Sequence, residues 1–316
     1  MLRYVFTGVG LLLFVLPTFA QDLFPVRPNT NEASAAPTMM MQQEIDRGSR
    51  IDSLWTIRRP RRDALGQEQG TQGSFERPDE IETDRDSFTP AVTTVARHRT
   101  ILESAYTFTD FRHGGEGHSF PELLVRYGLT DRWELRLGWN YEIAGIPALD
   151  GEGAALPDEG GKEFGNRVTY GSKFRLTEAE GWMPGSAIIL AGATPTGGPA
   201  TDTHFIATYV FGWEFANRWK LDASFRYGTG SEEEDRFNEW APSLVLKVPI
   251  GEKINTHVEY FSIFSTGKEE AIRAHYFSPG VHFLVTENFE IGVRVAWGLN
   301  EQATNFFANA GIGWRF

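Results

Sequence analysis

Charged side chains recur two residues apart through the second two-thirds of the chain, each time set between apolar or aromatic neighbours. Glu134, Arg136 and Asn140 alternate with Trp133, Leu135, Leu137, Trp139 and Tyr141. Lys220, Asp222 and Arg226 alternate with Trp219, Leu221, Phe225 and Tyr227, and Glu290 and Arg294 alternate with Phe289, Ile291, Val293, Val295 and Trp297. A helix would mix these two sets, whereas an extended chain puts them on opposite faces. By this parity the charged face carries Glu103, Glu122, Arg126, Glu134, Arg136, Arg167, Lys173, Arg175, Lys220, Asp222, Arg226, Lys247, His257, Glu259, Arg294 and Arg315, with basic members in excess. Such a face has two uses. Its charges pair across neighbouring strands and fill an interior, or they line a narrow polar passage that favours anionic or polar solutes. Both stay open at the level of sequence.

Other chemistry is thinly supported. Stretches 142–166 and 228–239 are acidic, with Glu142, Asp150, Glu152, Asp158, Glu159 and Glu163 in the first and Glu232, Glu233, Glu234, Asp235 and Glu239 in the second. Their plain reading is solvated surface. Carboxylates also suit divalent-cation bridging to phosphorylated lipid, but no calcium-loop spacing is present. A lipid-facing serine hydrolase needs Ser and His side by side on the outer wall. His204, His257 and His282 point inward by parity, and the outward neighbour of His275 along its own strand is Phe277. With no metal-spaced His pair, nucleophile elbow or phosphate loop, the expectation is a non-enzyme without cofactor or metal.

The elements that must hold this charged face are strands. Segments near 100–111, 119–129, 133–141, 167–177, 186–195, 203–214, 219–227, 240–249, 254–263, 275–285, 289–297 and 306–316 give about twelve, each near the length a tilted strand needs to cross a bilayer. Short turns rich in Asp, Asn and Gly alternate with longer polar loops. Pro121, Pro242 and Pro279 each precede apolar residues spaced two apart, which reads as a repeated hairpin with proline at the strand start. Aromatics at 13% and 33 glycines without any Cys suit a wall that is apolar on one face. A soluble β-sandwich would not need the alternation of short and long connections. The predicted fold is all-β: a transmembrane antiparallel up-and-down β-barrel over residues 100–316. Trp133, Trp139, Tyr141, Trp219, Tyr227, Phe289 and Trp297 are its expected membrane-interface aromatics.

The rest of the chain differs. Arg3, the apolar run Val5 to Leu16 and the pattern Thr18-Phe19-Ala20 read as a signal peptide over 1–20, cleaved near Ala20. Residues 21–99 are rich in Pro, Arg, Gln, Asp and Glu and read as a disordered periplasmic extension; the sharper reading is a plug or partner-binding arm. A net charge of -12 argues against nucleic acid as a partner.

Three stretches resemble a known family. They are Asp86-Ser87-Phe88-Thr89-Pro90, Ile101-Leu102-Glu103-Ser104-Ala105-Tyr106 and the run from Phe120-Pro121-Glu122 through Arg132-Trp133-Glu134-Leu135-Arg136. They are similar to outer-membrane proteins of the "putative MetA-pathway of phenol degradation" family, over roughly residues 86 to 316. The ending Gly313-Trp314-Arg315-Phe316 resembles the signal read by the bacterial barrel-assembly machinery, which points to Trp314 and Phe316. The resemblance implies an outer-membrane location in a Gram-negative bacterium, with lipid, lipopolysaccharide and the assembly machinery as partners. It also implies passage of small molecules, aromatic or hydrophobic compounds among them, and supplies no solute-binding motif. The competing expectation is an occluded structural or interaction barrel that presents acidic extracellular loops or a periplasmic arm.

Overall fold

The computed structural model describes residues 81–316 except 86, 113–114, 144–163, 199–201, 216–217, 233–234 and 268–270. Twelve strands follow one another: β1 (Thr100–Asp110), β2 (Glu116–Thr130), β3 (Trp133–Ile143), β4 (Phe164–Thr177), β5 (Gly185–Gly197), β6 (His204–Glu214), β7 (Lys220–Glu232), β8 (Asp235–Ile250), β9 (Ile254–Thr266), β10 (Arg273–Thr286), β11 (Phe289–Gly298) and β12 (Phe306–Arg315). Each pairs antiparallel with its sequence neighbours, and β1 pairs with β12, so the sheet closes on itself. Closure removes every edge, which a sheet in lipid requires because unpaired backbone groups have no water there.

The faces are inverted relative to a soluble protein. Along β3 the buried positions are Glu134, Arg136, Gly138, Asn140 and Glu142, while Leu137 is 55% exposed. Tyr170, Phe205, Phe225, Leu244, Phe283, Ile291 and Val293 are likewise exposed. An apolar outer wall around a polar interior is the arrangement of a transmembrane barrel.

Two details depart from the sequence reading. Strands β7 and β8 run on through most of the stretch expected as the 228–239 loop, pairing as far as Glu232↔Asp235. The three prolines lie inside strands rather than at their starts. Pro121 falls where the β2 ladders skip register on both sides, Pro242 sits in a gap of the β8·β9 ladder, and Pro279 sits in a gap of the β10·β11 ladder. A residue without N–H costs least where a ladder bond is already missing.

Residues 81–99 are the larger correction to the expected disordered extension. They form an ordered segment inside the barrel. Ile81, Phe88, Ala91 and Val95 are buried, as are Thr83, Asp84, Arg85, Ser87 and Thr89. Between Glu82 and Thr89 the chain contacts side chains of β1, β2, β3, β4, β7, β8, β9 and β11. Only a path through the lumen reaches all of these. The segment doubles back on itself: Thr93 Oγ1 donates to Glu82 (2.5 Å) and Ala91 N donates to Asp84 Oδ1 (3.0 Å). Thr94 then bonds the carbonyl of Asp131 in the β2–β3 turn, so this limb lies at the short-turn end of the barrel. The chain leaves the lumen over Gly128, bridging it from Arg97. A Cβ at Gly128 would run into the carbonyls of Val95 and Ala96, so the crossing requires glycine. Residues 1–80, with the expected signal peptide and most of the expected extension, lie outside the described residues.

Candidate functional site

The site is the interface between this inserted loop and the barrel wall. Its centre is Asp84. Arg136 Nη1 donates to Asp84 Oδ2 at 2.6 Å, Lys173 Nζ donates to the same oxygen at 3.2 Å, and Arg126 Nη1 lies 3.7 Å from Oδ1. The wall residues are themselves cross-linked. Arg126 makes a two-bond contact with Glu134 (2.8 and 3.0 Å) and reaches Glu103 at 3.0 Å, while Arg136 reaches Glu134 at 2.8 Å. These bonds arise because neighbouring strands put alternate side chains on one face in register: Arg126 opposes Arg136, and Glu134 opposes Lys173. Beside Asp84 the polarity reverses. Arg85 donates to Glu122 (3.3 Å), Asn140 (3.3 Å) and the Leu123 carbonyl (2.9 Å), and Glu103 accepts the backbone N–H groups of Asp84 and Arg85 (3.0 and 2.9 Å).

A second contact joins Glu82 to Lys220 (3.0 Å) and Lys247 (3.9 Å), with Asp222 3.8 Å from Lys247. Burial by itself would raise the Glu82 carboxyl, but Lys220, Lys247 and the Thr93 hydroxyl outweigh it and hold that carboxyl well below the usual range. The same contest holds at Asp84, where Arg126, Lys173 and Arg136 overcome burial. Both carboxylates are therefore charged at neutral pH, and each is matched by wall cations.

The tip of the loop is held differently. Glu259 accepts N–H bonds from Phe88 (2.8 Å) and Thr89 (2.7 Å) and the Thr89 hydroxyl (2.7 Å), and Arg294 lies 3.8 Å from it. The Phe88 ring stacks on Phe261 at 4.2 Å with planes 6° apart, and the Arg226 guanidinium carbon lies over that ring at 4.4 Å. Phe261 continues into a buried cluster with Ile263, Tyr276, Ala303 and Phe307. Two cavities of about 20 Å³ each adjoin Asp84, Arg85 and Thr83, room for about one water apiece.

The sequence match falls on this same unit of loop and wall. The family model described as "Putative MetA-pathway of phenol degradation" matches residues 83–316. The chain belongs to that family. Its match begins within the inserted loop, seventeen positions before β1 opens at Thr100, so the family's pattern includes the loop as well as the wall. No curated protein matches the sequence. Among solved structures, the COG4313 outer membrane channel from Pseudomonas putida F1 is similar at 12% identity with a TM-score of 0.53, covering 75% of this chain and 100% of that one. The NanC porin is similar at 9% identity and a TM-score of 0.49, covering 67% and 98%. At these identities the likeness is one of fold, that of outer-membrane barrels.

Within this family fold, the residues picked out by parity divide into three groups. Glu122, Arg126, Glu134, Arg136, Lys173, Asp222, Arg226, Glu259 and Arg294 are buried on the inner face, as are Glu103 and His257. Lys220 and Lys247 are half-buried against Glu82, and Arg167 pairs with Glu142 at 3.3 Å. Arg175 and Arg315 instead sit at the short-turn rim, bonded to Glu178 and to Asn288. Trp133, Trp219, Trp297, Trp314 and Phe316 are exposed, while Trp139, Tyr141, Tyr227 and Phe289 are partly covered by neighbours. The expected acidic loop 142–166 is undescribed over 144–163, and its first residue, Glu142, is buried on β3.

Sequence reasoning missed Glu82, Asp84, Phe88 and Thr89 as lumen residues. A signal was available: the Asp86–Pro90 stretch already carried family resemblance, and apolar residues return at Ile81, Phe88 and Val95. Parity along one strand also missed a contact across strands. Ser262 Oγ lies 2.8 Å from His275 Nδ1, with the Tyr260 hydroxyl 3.0 Å from the same nitrogen. Ser262 is buried beneath these rings, and the side-chain partners of His275 among the described residues are hydroxyls rather than a carboxylate.

Proposed function

We propose that the protein is an outer-membrane channel for passive passage of small molecules, and that the inserted loop is its closed state. The observation that carries this reading is the kind of contact holding the loop. Asp84, Arg85 and Glu82 meet the wall through ions and hydrogen bonds that water can replace once the loop leaves, beside the apolar contacts of Ile81, Phe88 and Val95. The lumen behind it would be narrow and charge-lined, with Glu122, Arg126, Glu134, Arg136, Lys173, Lys220, Asp222, Arg226, Lys247, Glu259 and Arg294 on its wall. The stack of Phe88 on Phe261 beneath Arg226 supports aromatic or hydrophobic solutes, since it is a place built for a ring. The name of the Pseudomonas putida neighbour, an outer membrane channel, agrees with this reading.

The chain would be exported with cleavage near Ala20 and inserted by the barrel-assembly machinery through Trp314 and Phe316. Trp133, Trp139, Tyr141, Trp219, Tyr227, Phe289 and Trp297 would meet lipid and lipopolysaccharide at the two interfaces. A second reading, an occluded structural or interaction barrel, is favoured by how fully the loop fills the interior.

Single-channel recording of the refolded chain in planar bilayers separates the two. The channel reading expects discrete, modest openings with anion preference, made more frequent by Phe88→Ala. Folded barrels that conduct in neither form sink the open-pore reading and leave the occluded one.

A further inference from the structure

The Asp84 carboxylate sits in a cradle of wall cations. Arg126, Arg136 and Lys173 all turn toward it from three strands, with Glu103 and Glu134 set among them. All of these groups are buried: Lys173, Glu103 and Glu134 are fully enclosed and Arg126 is 1% exposed. Buried cations that lose a carboxylate partner are costly, which favours another carboxylate in its place once the loop withdraws. The vacated geometry is also specific. Arg136 and Lys173 converge on one oxygen from different strands while Arg126 approaches the other, an arrangement that fits a planar carboxylate better than a spherical ion. The side chain of aspartate is a carboxylate on a single methylene, so its free counterpart is acetate.

We infer that Arg126, Arg136 and Lys173 form a carboxylate-binding site in the lumen, that Asp84 occupies it as a built-in stand-in, and that small carboxylate solutes compete with the inserted loop for it. For its physiological role this rests on the channel reading, but binding and competition can be measured without conductance. Carboxylate binding would then favour the open state by mass action, because the solute binds only the wall that the loop has left.

The chain has no Cys, so Ser87→Cys places a single thiol in the loop, at a position 1% exposed and three residues from Asp84. The refolded full-length variant in vesicles is treated with a bulky maleimide, and the labelling rate is followed in sodium acetate against sodium chloride at equal ionic strength. Slow labelling in chloride and a saturable acceleration by acetate are expected. Adding Asp84→Asn should speed labelling in chloride by about tenfold or more, because one member of a buried ion cluster is lost, and should erase most of the acetate effect. Lys173→Met should weaken the acetate effect in barrels whose folding is verified by heat-modifiable gel mobility. Labelling that ignores acetate while Asp84→Asn accelerates it overturns the site, since the cradle would then hold the loop and accept no solute. Fast labelling under every condition overturns it too, because the loop would not be docked. Acetate-dependent labelling in a barrel that never conducts leaves the site standing and the channel reading fallen, and conductance without an acetate effect does the reverse.

Discussion

Phe88→Ala removes a ring that is 2% exposed and rests on Phe261 at 4.2 Å, beneath the Arg226 guanidinium at 4.4 Å. Truncating a buried Phe costs about 3–5 kcal/mol. Within that, the ring pair contributes roughly 0.5–1.5 kcal/mol and the cation–π contact roughly 0.5–2 kcal/mol. The lower figure applies here, because a loop collapses into a void more readily than a strand does. About 3 kcal/mol corresponds to roughly a hundredfold shift toward the undocked loop. The loss should fall on docking alone, since no ladder bond of the barrel involves Phe88. Amide hydrogen exchange reads this directly: the Thr89 and Arg85 N–H groups are bonded to Glu259 and Glu103 of the wall only while the loop is docked. Their exchange should quicken by about a hundredfold while amides of β1 to β12 keep their protection. Unchanged exchange at Thr89 and Arg85 would refute the reasoning, because the ring would then not be holding the loop. Equal loss of protection across the strands would refute it as well, because the loop would then be part of the fold's core.

Three further outcomes follow from the same geometry. Glu82 and Asp84 are held below their ordinary values of 4.5 and 3.8, so their contribution to docking is complete above those values and is lost as pH falls through the lower bound-state values; labelling of Ser87→Cys, divided at each pH by that of the same thiol in the denatured chain because only the thiolate reacts, should rise in acid below about 4, and a ratio that rises only in alkali would contradict the ion-pair account. Gly128→Ala forces a Cβ into the Val95 and Ala96 carbonyls and should destabilise the exit of the loop by about 2–3 kcal/mol, seen as a lower midpoint in denaturant unfolding, with no change if the crossing can move aside. Leu137→Arg puts a charge on the outer face at a residue 55% exposed and should cost about 2–4 kcal/mol in lipid near the bilayer midplane; a neutral result in bilayer refolding would argue that this face does not meet lipid.

The sequence by itself determined the wall. A side-chain period of two is a local property, so Glu134, Arg136 and Asn140 on one face and Trp133, Leu135 and Leu137 on the other could be sorted without knowing any partner strand. Alternating charged and apolar faces over twelve such segments leave few folds besides a closed barrel in lipid, and short turns at 131–132, 251–253 and 287–288 fixed which strands are neighbours. What the tertiary structure decided was everything that depends on contact across the lumen. Nothing local to Asp84 says that Arg126, Arg136 and Lys173, 42, 52 and 89 positions away, converge on it. A segment rich in Asp, Arg and Thr reads as disordered because its polar groups have no partner nearby in the chain, and it is ordered here because the inner wall supplies those partners. The pairing of Ser262 with His275 was hidden for the same reason, since parity along one strand is blind to its neighbour's register. Periodicity reports which way a side chain points; only closure of the barrel brings the inward-pointing groups of opposite strands, and the loop that threads between them, within bonding distance.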